Sequence, residues 1–384
     1  MPVQANELPA IFESFGDARK AGFLKMKALK DEGVGVVGTF CVYTPLEVFM
    51  AGGLVPVGLC STSDETIAEA EKTLPRNLCP LIKASYGFAV TDKCPYMYFS
   101  DLVVGETTCD GKKKMYELLG RIKDVHVLNL PQNQNGASRL MWKEEIKKLA
   151  EKVEGRFGVK ISEGDLKEAI KIKNQERALL KEFYELSKLT PPPMTGLQQL
   201  QVLFGAQFKF DMPAKLSELR KTIDDIKKSY EEGNRPVPIE AKRIVITGCP
   251  IGGATEKVVK AIEESGGVVV AFENCTGAKQ FDRRVNEESD PYEALTDHYL
   301  NVGCSVMTPD QNRLELLGRL CKEFKADGVV EMVLQACHTY AIETFQIREF
   351  LNDKGVPFIS LETDYSAGDF GQLKTRAGAF IETL

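Results

Sequence analysis

Ten cysteines stand against three histidines, His126, His298 and His338, in this chain. Two of the cysteines close similarly built segments. Asp101-Leu-Val-Val-Gly-Glu-Thr-Thr-Cys109-Asp110-Gly111-Lys112 and Asp327-Gly-Val-Val-Glu-Met-Val-Leu-Gln-Ala-Cys337-His338 each run from an aspartate through an apolar, strand-like stretch to a thiol. A thiol near the carboxyl end of a strand lies where open α/β sheets hold their ligands. Thiolates in number, with imidazole scarce, point to iron–sulfur ligation or structural zinc and away from a zinc hydrolase. No tight pair of C-x-x-C knuckles exists, which argues against ribbon-type zinc. Free cysteine is also a small hydrophobe. Cys321, inside an amphipathic helical pattern, reads as core, and so does Cys60.

Elements must carry these thiols to one place. A chain of 384 residues implies two or three domains. Hydrophobic content of 43% and charged content of 27% are those of a soluble globular protein. The net charge of −6 argues against a nucleic-acid surface. Met1-Pro-Val-Gln-Ala-Asn-Glu carries neither a basic nor an apolar leader region, so no secretory signal is expected. No apolar run approaches the roughly 20 residues of a membrane span, so no membrane partner is expected and the location implied is cytoplasmic. Disulfides are disfavoured there, so the cysteines need another purpose.

The chain divides into an α/β region over 1–137, a helical segment over 138–240 and a second α/β region over 241–384. The first opens with a helical pattern over 8–32. Strands over 34–40 and 54–59 follow, ending at Cys41 and Cys60, and the strand leading to Cys109 comes next. Long, charged, helix-periodic stretches over 142–157, 163–189 and 213–232 fill the middle, with a more apolar helix over 195–210. From 241 the first plan returns as strand, cysteine, helix, Gly-Gly, strand, cysteine, excursion, strand, cysteine. Cys41 thus matches Cys249, Cys60 matches Cys275 and Cys109 matches Cys337. Alternating strands and helices predict parallel sheets. The expected fold is therefore two doubly wound parallel-sheet α/β domains, Rossmann- or flavodoxin-like, with helices inserted between them.

If the strand ends face each other, six or more thiols converge on one cleft, enough for one or two cubane clusters of up to four ligands each. Glu106 and Glu331, in the matching strands, read first as structural carboxylates and second as acid–base groups. His338, beside Cys337, could supply a proton or hydrogen-bond a cluster sulfur. Lys112-Lys-Lys114 reads as a solvated helix face. Gly248-Cys-Pro-Ile-Gly-Gly253 partly matches a dinucleotide fingerprint, but Cys249-Pro250 replace its G-x-G start. No phosphate loop of the G-x-x-x-x-G-K-[ST] type exists, so any ATP chemistry belongs to a partner.

Asn77-Leu-Cys79-Pro80, Glu106-Thr-Thr-Cys109-Asp110-Gly111, Glu273-Asn-Cys275-Thr-Gly277, Gln335-Ala-Cys337 and Asp364-Tyr365 through Ala379-Phe380 resemble the 2-hydroxyacyl-CoA dehydratase D-component and benzoyl-CoA reductase superfamily over nearly the whole chain. The resemblance implies a [4Fe-4S] cluster between two α/β domains, held by three cysteines matching Cys79, Cys109 and Cys337. Lys93-Cys94-Pro95 and Thr39-Phe-Cys41 add cysteines beyond that pattern and make the chain similar to double-cubane cluster proteins. Those are homodimers with an [8Fe-9S] cluster on six cysteines. The ligands this resemblance implies are Cys41, Cys79, Cys94, Cys109, Cys275 and Cys337. Cys249 and Cys304 could take the place of Cys41 or Cys275. It further implies an ATP-dependent iron–sulfur activator as electron donor. A small unsaturated molecule is the expected substrate, and His338 and Glu106 are the candidate proton suppliers. Two alternatives stand beside it. One is a 2-hydroxyacyl-CoA dehydratase subunit with one [4Fe-4S] cluster, working by ketyl-radical dehydration. The other is a non-catalytic electron-transfer protein.

Overall fold

The computed structural model describes residues 12–13, 16–249 and 252–384. The start of the helix expected over 8–32, and Pro250 and Ile251 of the glycine-rich turn, lie outside the described residues. The helix itself is described over Ala18–Asp31.

Eight strands form two four-stranded parallel sheets. The first contains β1 (Val36–Thr39), β2 (Val55–Gly58), β3 (Leu102–Glu106) and β4 (Val125–Leu128) in the order β2-β1-β3-β4. The second contains β5 (Lys242–Gly248), β6 (Gly267–Phe272), β7 (Gly328–Leu334) and β8 (Phe358–Thr363) in the order β6-β5-β7-β8. All strand pairings are parallel. The central strands β1, β3 and β7 are buried along their full length. That is why they read as continuous Val/Leu runs, since a parallel sheet covered on both faces has no polar side.

The two sheets repeat one device in atomic detail. Asp101, just before β3, accepts from the Val36 N–H of β1 at 2.8 Å. Asp327, just before β7, accepts from the Arg243 N–H of β5 at 2.7 Å. Each carboxylate pins the amino ends of the two central strands together. The carboxyl ends of those strands therefore keep a fixed spacing, and the thiols follow there.

The helical middle clads both sheets. Gly136–Phe157 packs on β4, and Gly196–Gly205 packs on β6 and on Gly253–Glu263. Glu163–Glu185 packs on Leu46–Ala51 and Met212–Glu231. Trp142, wholly buried, is the largest side chain of that layer. The excursion between β6 and β7 holds a helix, Pro291–Leu300, whose N-cap Asp290 accepts from the Glu293 N–H at 2.9 Å. A further helix, Phe370–Glu382, ends the chain. No helix among the described residues is long and apolar enough to cross a membrane.

Candidate iron–sulfur site

In each sheet the chain leaves a central strand for one neighbour and returns to the other side, so β1/β3 and β5/β7 are the switch points. Crevices at the carboxyl ends of such strands are where α/β sheets bind ligands. A cavity of about 280 Å³ lies there, walled by Cys41, Cys60, Cys79 and Cys109 from the first half and by Cys275, Cys304 and Cys337 from the second. Leu78, Leu81, Ile82, Phe204 and Phe208 make much of the remaining wall apolar.

Five of the six cysteines expected as ligands line this cavity, and Cys94 does not. Cys94 caps the short helix Pro95–Phe99, whose Tyr96 and Met97 are buried. Only Ser100 and Asp101 separate that helix from the amino end of β3, the far end from the cavity. Cys304 comes in from the loop after Pro291–Leu300. Cys249 is wholly buried behind the wall: Gly248, at φ +109, turns it inward so closely that a Cβ there would meet the Met332 carbonyl oxygen at 2.1 Å. Cys321 is core, as expected.

Local folding explains the placing of each thiol. Cys79, Cys109 and Cys337 are N-cap residues of Pro80–Val90, Asp110–Leu119 and His338–Asp353. Helix N-termini favour anionic sulfur. Burial outweighs that at two of the three: it pushes the Cys79 thiol up to about 12 and also raises Cys109. Cys337 goes the other way, to about 7, chiefly because the Cys249 thiol hydrogen-bonds to it. Burial likewise pushes Cys275 up to about 12 and raises Cys41, against the opposing charges of Lys279 and Lys112. Cys41 and Ala336 hold φ of +57°, so two strained non-glycine residues sit on the wall.

This wall fits a polynuclear iron–sulfur group. Buried thiols of raised pKa keep their protons unless a cation replaces them, and soft sulfur donors select iron or zinc. Among the described residues no three Cys, His, Asp or Glu side chains draw together tightly enough for a single metal ion. Tetrahedral zinc would need that, with Zn–S bonds of about 2.3 Å. Thiols spread around a cavity suit a group several atoms across.

The expected acid–base residues are separated. His338 is exposed and lines the cavity. Glu106, at the end of β3, is wholly buried and stands behind the wall. The Thr44 hydroxyl donates to its Oε1 at 2.6 Å, and Oε2 has no hydrogen-bond partner among the described residues. Burial raises Glu106 to about 7, against that hydrogen bond and the Lys112 charge. Glu331 is structural: the Thr344 hydroxyl donates to it at 2.7 Å and Arg313 lies 3.6 Å away. Sequence reasoning passed over Arg313 and Tyr340. Arg313 is wholly buried, pairing with Glu273 at 3.4 Å and donating to Thr247 at 2.9 Å. Tyr340 accepts from Lys279 at 2.9 Å and stands 3.6 Å from the Cys304 sulfur. Lys112, read as a solvated lysine, is instead buried on the cavity wall, because its stem packs inward on the helix face that also buries Met115 and Tyr116. The signal available in sequence was position: Lys112 and Tyr340 each follow a strand-end cysteine by three residues.

A second cavity of about 310 Å³ adjoins the first and shares Thr39, Cys41, Val42, Gly58, Gln207 and Gln280 with it. Two ammonium groups on its wall, Lys173 and Lys215, share one carboxylate, Glu176.

Comparison with known proteins agrees with this architecture. The family model for the 2-hydroxyglutaryl-CoA dehydratase D-component matches residues 41–384. The protein YjiM of Escherichia coli (strain K12), whose name describes a dehydratase subunit, is 55% identical over 380 residues, 98% of this chain and 99% of that protein. The (R)-phenyllactyl-CoA dehydratase beta subunit of Clostridium sporogenes is 26% identical over 94% of each chain. One of the subunits of benzoyl-CoA reductase from Thauera aromatica is 21% identical over 91% of this chain and 90% of its own.

Proposed function

Since the chain belongs to the 2-hydroxyglutaryl-CoA dehydratase D-component family, we propose that it is the iron–sulfur reductase component of an enzyme, carrying a double-cubane [8Fe-9S] cluster and reducing a small unsaturated molecule. One observation carries this reading. Cys41, Cys79 and Cys109 from one half and Cys275, Cys304 and Cys337 from the other line one cavity. Leaving aside Cys60, which the sequence reads as core, these six thiols exceed what one cubane can use, about four, and divide evenly between two. Cys304 takes the place that sequence reasoning gave to Cys94.

When bound, the cluster supplies single electrons at low potential. The protein supplies the rest. Apolar side chains at Leu78, Ile82 and Phe208 keep water from the wall, and the N-termini of three helices face the anionic sulfurs. His338, on the wall, delivers a proton from a ring nitrogen to bound substrate. Glu106 holds a proton up to about pH 7 behind Cys41 and acts as the reserve. Small substrates enter by the adjoining cavity. Electrons come from an ATP-dependent iron–sulfur activator, since this chain has no phosphate loop of its own. The assembly is a homodimer in the cytoplasm, and the domain limits are 1–137, 138–240 and 241–384.

The relatives named as dehydratases favour a second reading, a 2-hydroxyacyl-CoA dehydratase subunit with a single [4Fe-4S] cluster. Iron and acid-labile sulfide per chain after anaerobic purification decide between them. About eight irons support the double cubane, about four the dehydratase subunit, and near-zero iron removes both. Cys304→Ala is expected to lose iron, whereas Cys94→Ala keeps the full complement. The reverse result would restore Cys94 as a ligand. Substrate reduction with the activator and ATP excludes a role confined to electron transfer.

A further inference from the structure

Lys112 lies three residues after Cys109, in the first turn of Asp110–Leu119, and is 4% exposed. Its neighbours are ordinary surface lysines, Lys113 paired with Asp110 and Lys114 with Glu117. Lys112 turns inward instead. Its Nζ donates to the Cys41 sulfur at 2.8 Å and reaches the Cys60 sulfur at 3.8 Å, above the Phe40 ring at 5.2 Å. Among the described residues it forms no ion pair with a carboxylate. A buried ammonium is costly unless an anion faces it.

The matching position in the second half is Tyr340, three residues after Cys337. It too reaches across to a cysteine of another loop, at 3.6 Å from Cys304. Its hydroxyl is neutral, however, and the cation behind it, Lys279, is matched by the Glu273 carboxylate at 3.1 Å. The cavity therefore has one wall where an ammonium faces sulfur with no ion-paired carboxylate among the described residues, beside Cys41, and one wall where the cation is paired with a carboxylate. Coulomb attraction across a dry wall is strong and hardly screened by salt.

We propose that Lys112 is a positioning residue whose ammonium, set against the Cys41 sulfur, makes the iron–sulfur group easier to reduce by one electron. Cys60 is then the second acceptor for the ammonium and is not an iron ligand, which accounts for a seventh cysteine on the wall. The step is a one-electron reduction: the donor is a low-potential one-electron reductant, and the electron is retained in the iron–sulfur group with no bond made or broken in the protein. This inference rests on the cluster reading above.

The test uses anaerobically purified holoprotein, titrated with titanium(III) citrate and followed by electron paramagnetic resonance, with iron counted in each variant. Lys112→Met is expected to shift the reduced-to-oxidised ratio at least tenfold toward oxidised at a given potential, a midpoint more negative by about 59 mV for one electron. Lys112→Arg, which keeps the charge, is expected to recover most of that shift. Cys60→Ala is expected to keep full iron. If Lys112→Met gives no folded protein, Lys112→Gln carries the same expectation. An unmoved midpoint at full iron, an equal shift in Tyr340→Phe, or loss of iron in Cys60→Ala overturns the proposal. Wild-type protein without iron would instead overturn the cluster reading, so the two failures are distinguishable.

Discussion

Asp310 shows what burial does to a carboxylate that finds no partner. It is 3% exposed, neither oxygen has a hydrogen bond among the described residues, and burial, reinforced by Glu343, lifts it from 3.8 to about 8. Glu106 is lifted by burial from 4.5 to about 7. Both folded values lie above the unfolded ones. As pH rises the unfolded chain therefore loses these protons first, and the stability they contribute in acid is lost as pH climbs toward 7 and 8. Asp310→Asn, which cannot ionise, is expected to raise the urea midpoint relative to wild type at about pH 8.5 and to leave it nearly unchanged at about pH 4. Equal effects at the two pH values would show that Asp310 is already ionised in the fold. Cysteines obey the same balance with a different outcome. Their protons can be exchanged for iron, so the burial that disfavours a bare thiolate also keeps the thiols ready for a metal.

Helices place the thiols. Three wall cysteines are N-caps, so the turn that starts each helix also fixes where its sulfur points. The helix Glu163–Glu185 plays a different part, carrying Glu176 and Arg177 on the wall of the second cavity. It starts with a capping box: the Ser162 hydroxyl accepts from the Asp165 N–H at 3.1 Å, and the Asp165 carboxylate accepts from the Ser162 N–H at 2.9 Å. Ser162→Ala leaves one helix donor without its cap. The expected cost is about 1 kcal/mol in urea unfolding, with iron content unchanged because neither Ser162 nor Asp165 lines either cavity. Loss of iron in that variant would mean that the helix end is coupled to the site.

At the scale of the molecule, the two sheets are tied through the middle helices. Arg177 pairs with Glu47 at 2.7 Å with both side chains at most 2% exposed, and the Tyr299 hydroxyl donates to the same carboxylate at 2.7 Å. These residues come from Glu163–Glu185, from Leu46–Ala51 beside the first sheet, and from Pro291–Leu300, which follows β6 in the chain and packs on Gly136–Phe157 and Glu163–Glu185. Arg177→Ala would strand a buried charge at Glu47, at a cost of about 3–5 kcal/mol in urea unfolding. A cost under about 1 kcal/mol would show that water reaches the pair. The sequence by itself determined the alternation of strand and helix, the repeat of one half in the other, and Cys109 and Cys337 as strand-end thiols. Those features are written in apolar periodicity and chain order, which act over a few residues. Only the tertiary structure decided that Cys304 belongs on the wall and Cys94 does not, that Lys112 faces a sulfur, and that Arg313 is buried among carboxylates. Each depends on which loops meet at the carboxyl edges of two sheets, and that is set by packing between segments far apart in the chain. A lysine reads the same in sequence whether its ammonium reaches water or a sulfur; the wall packed around it makes the difference.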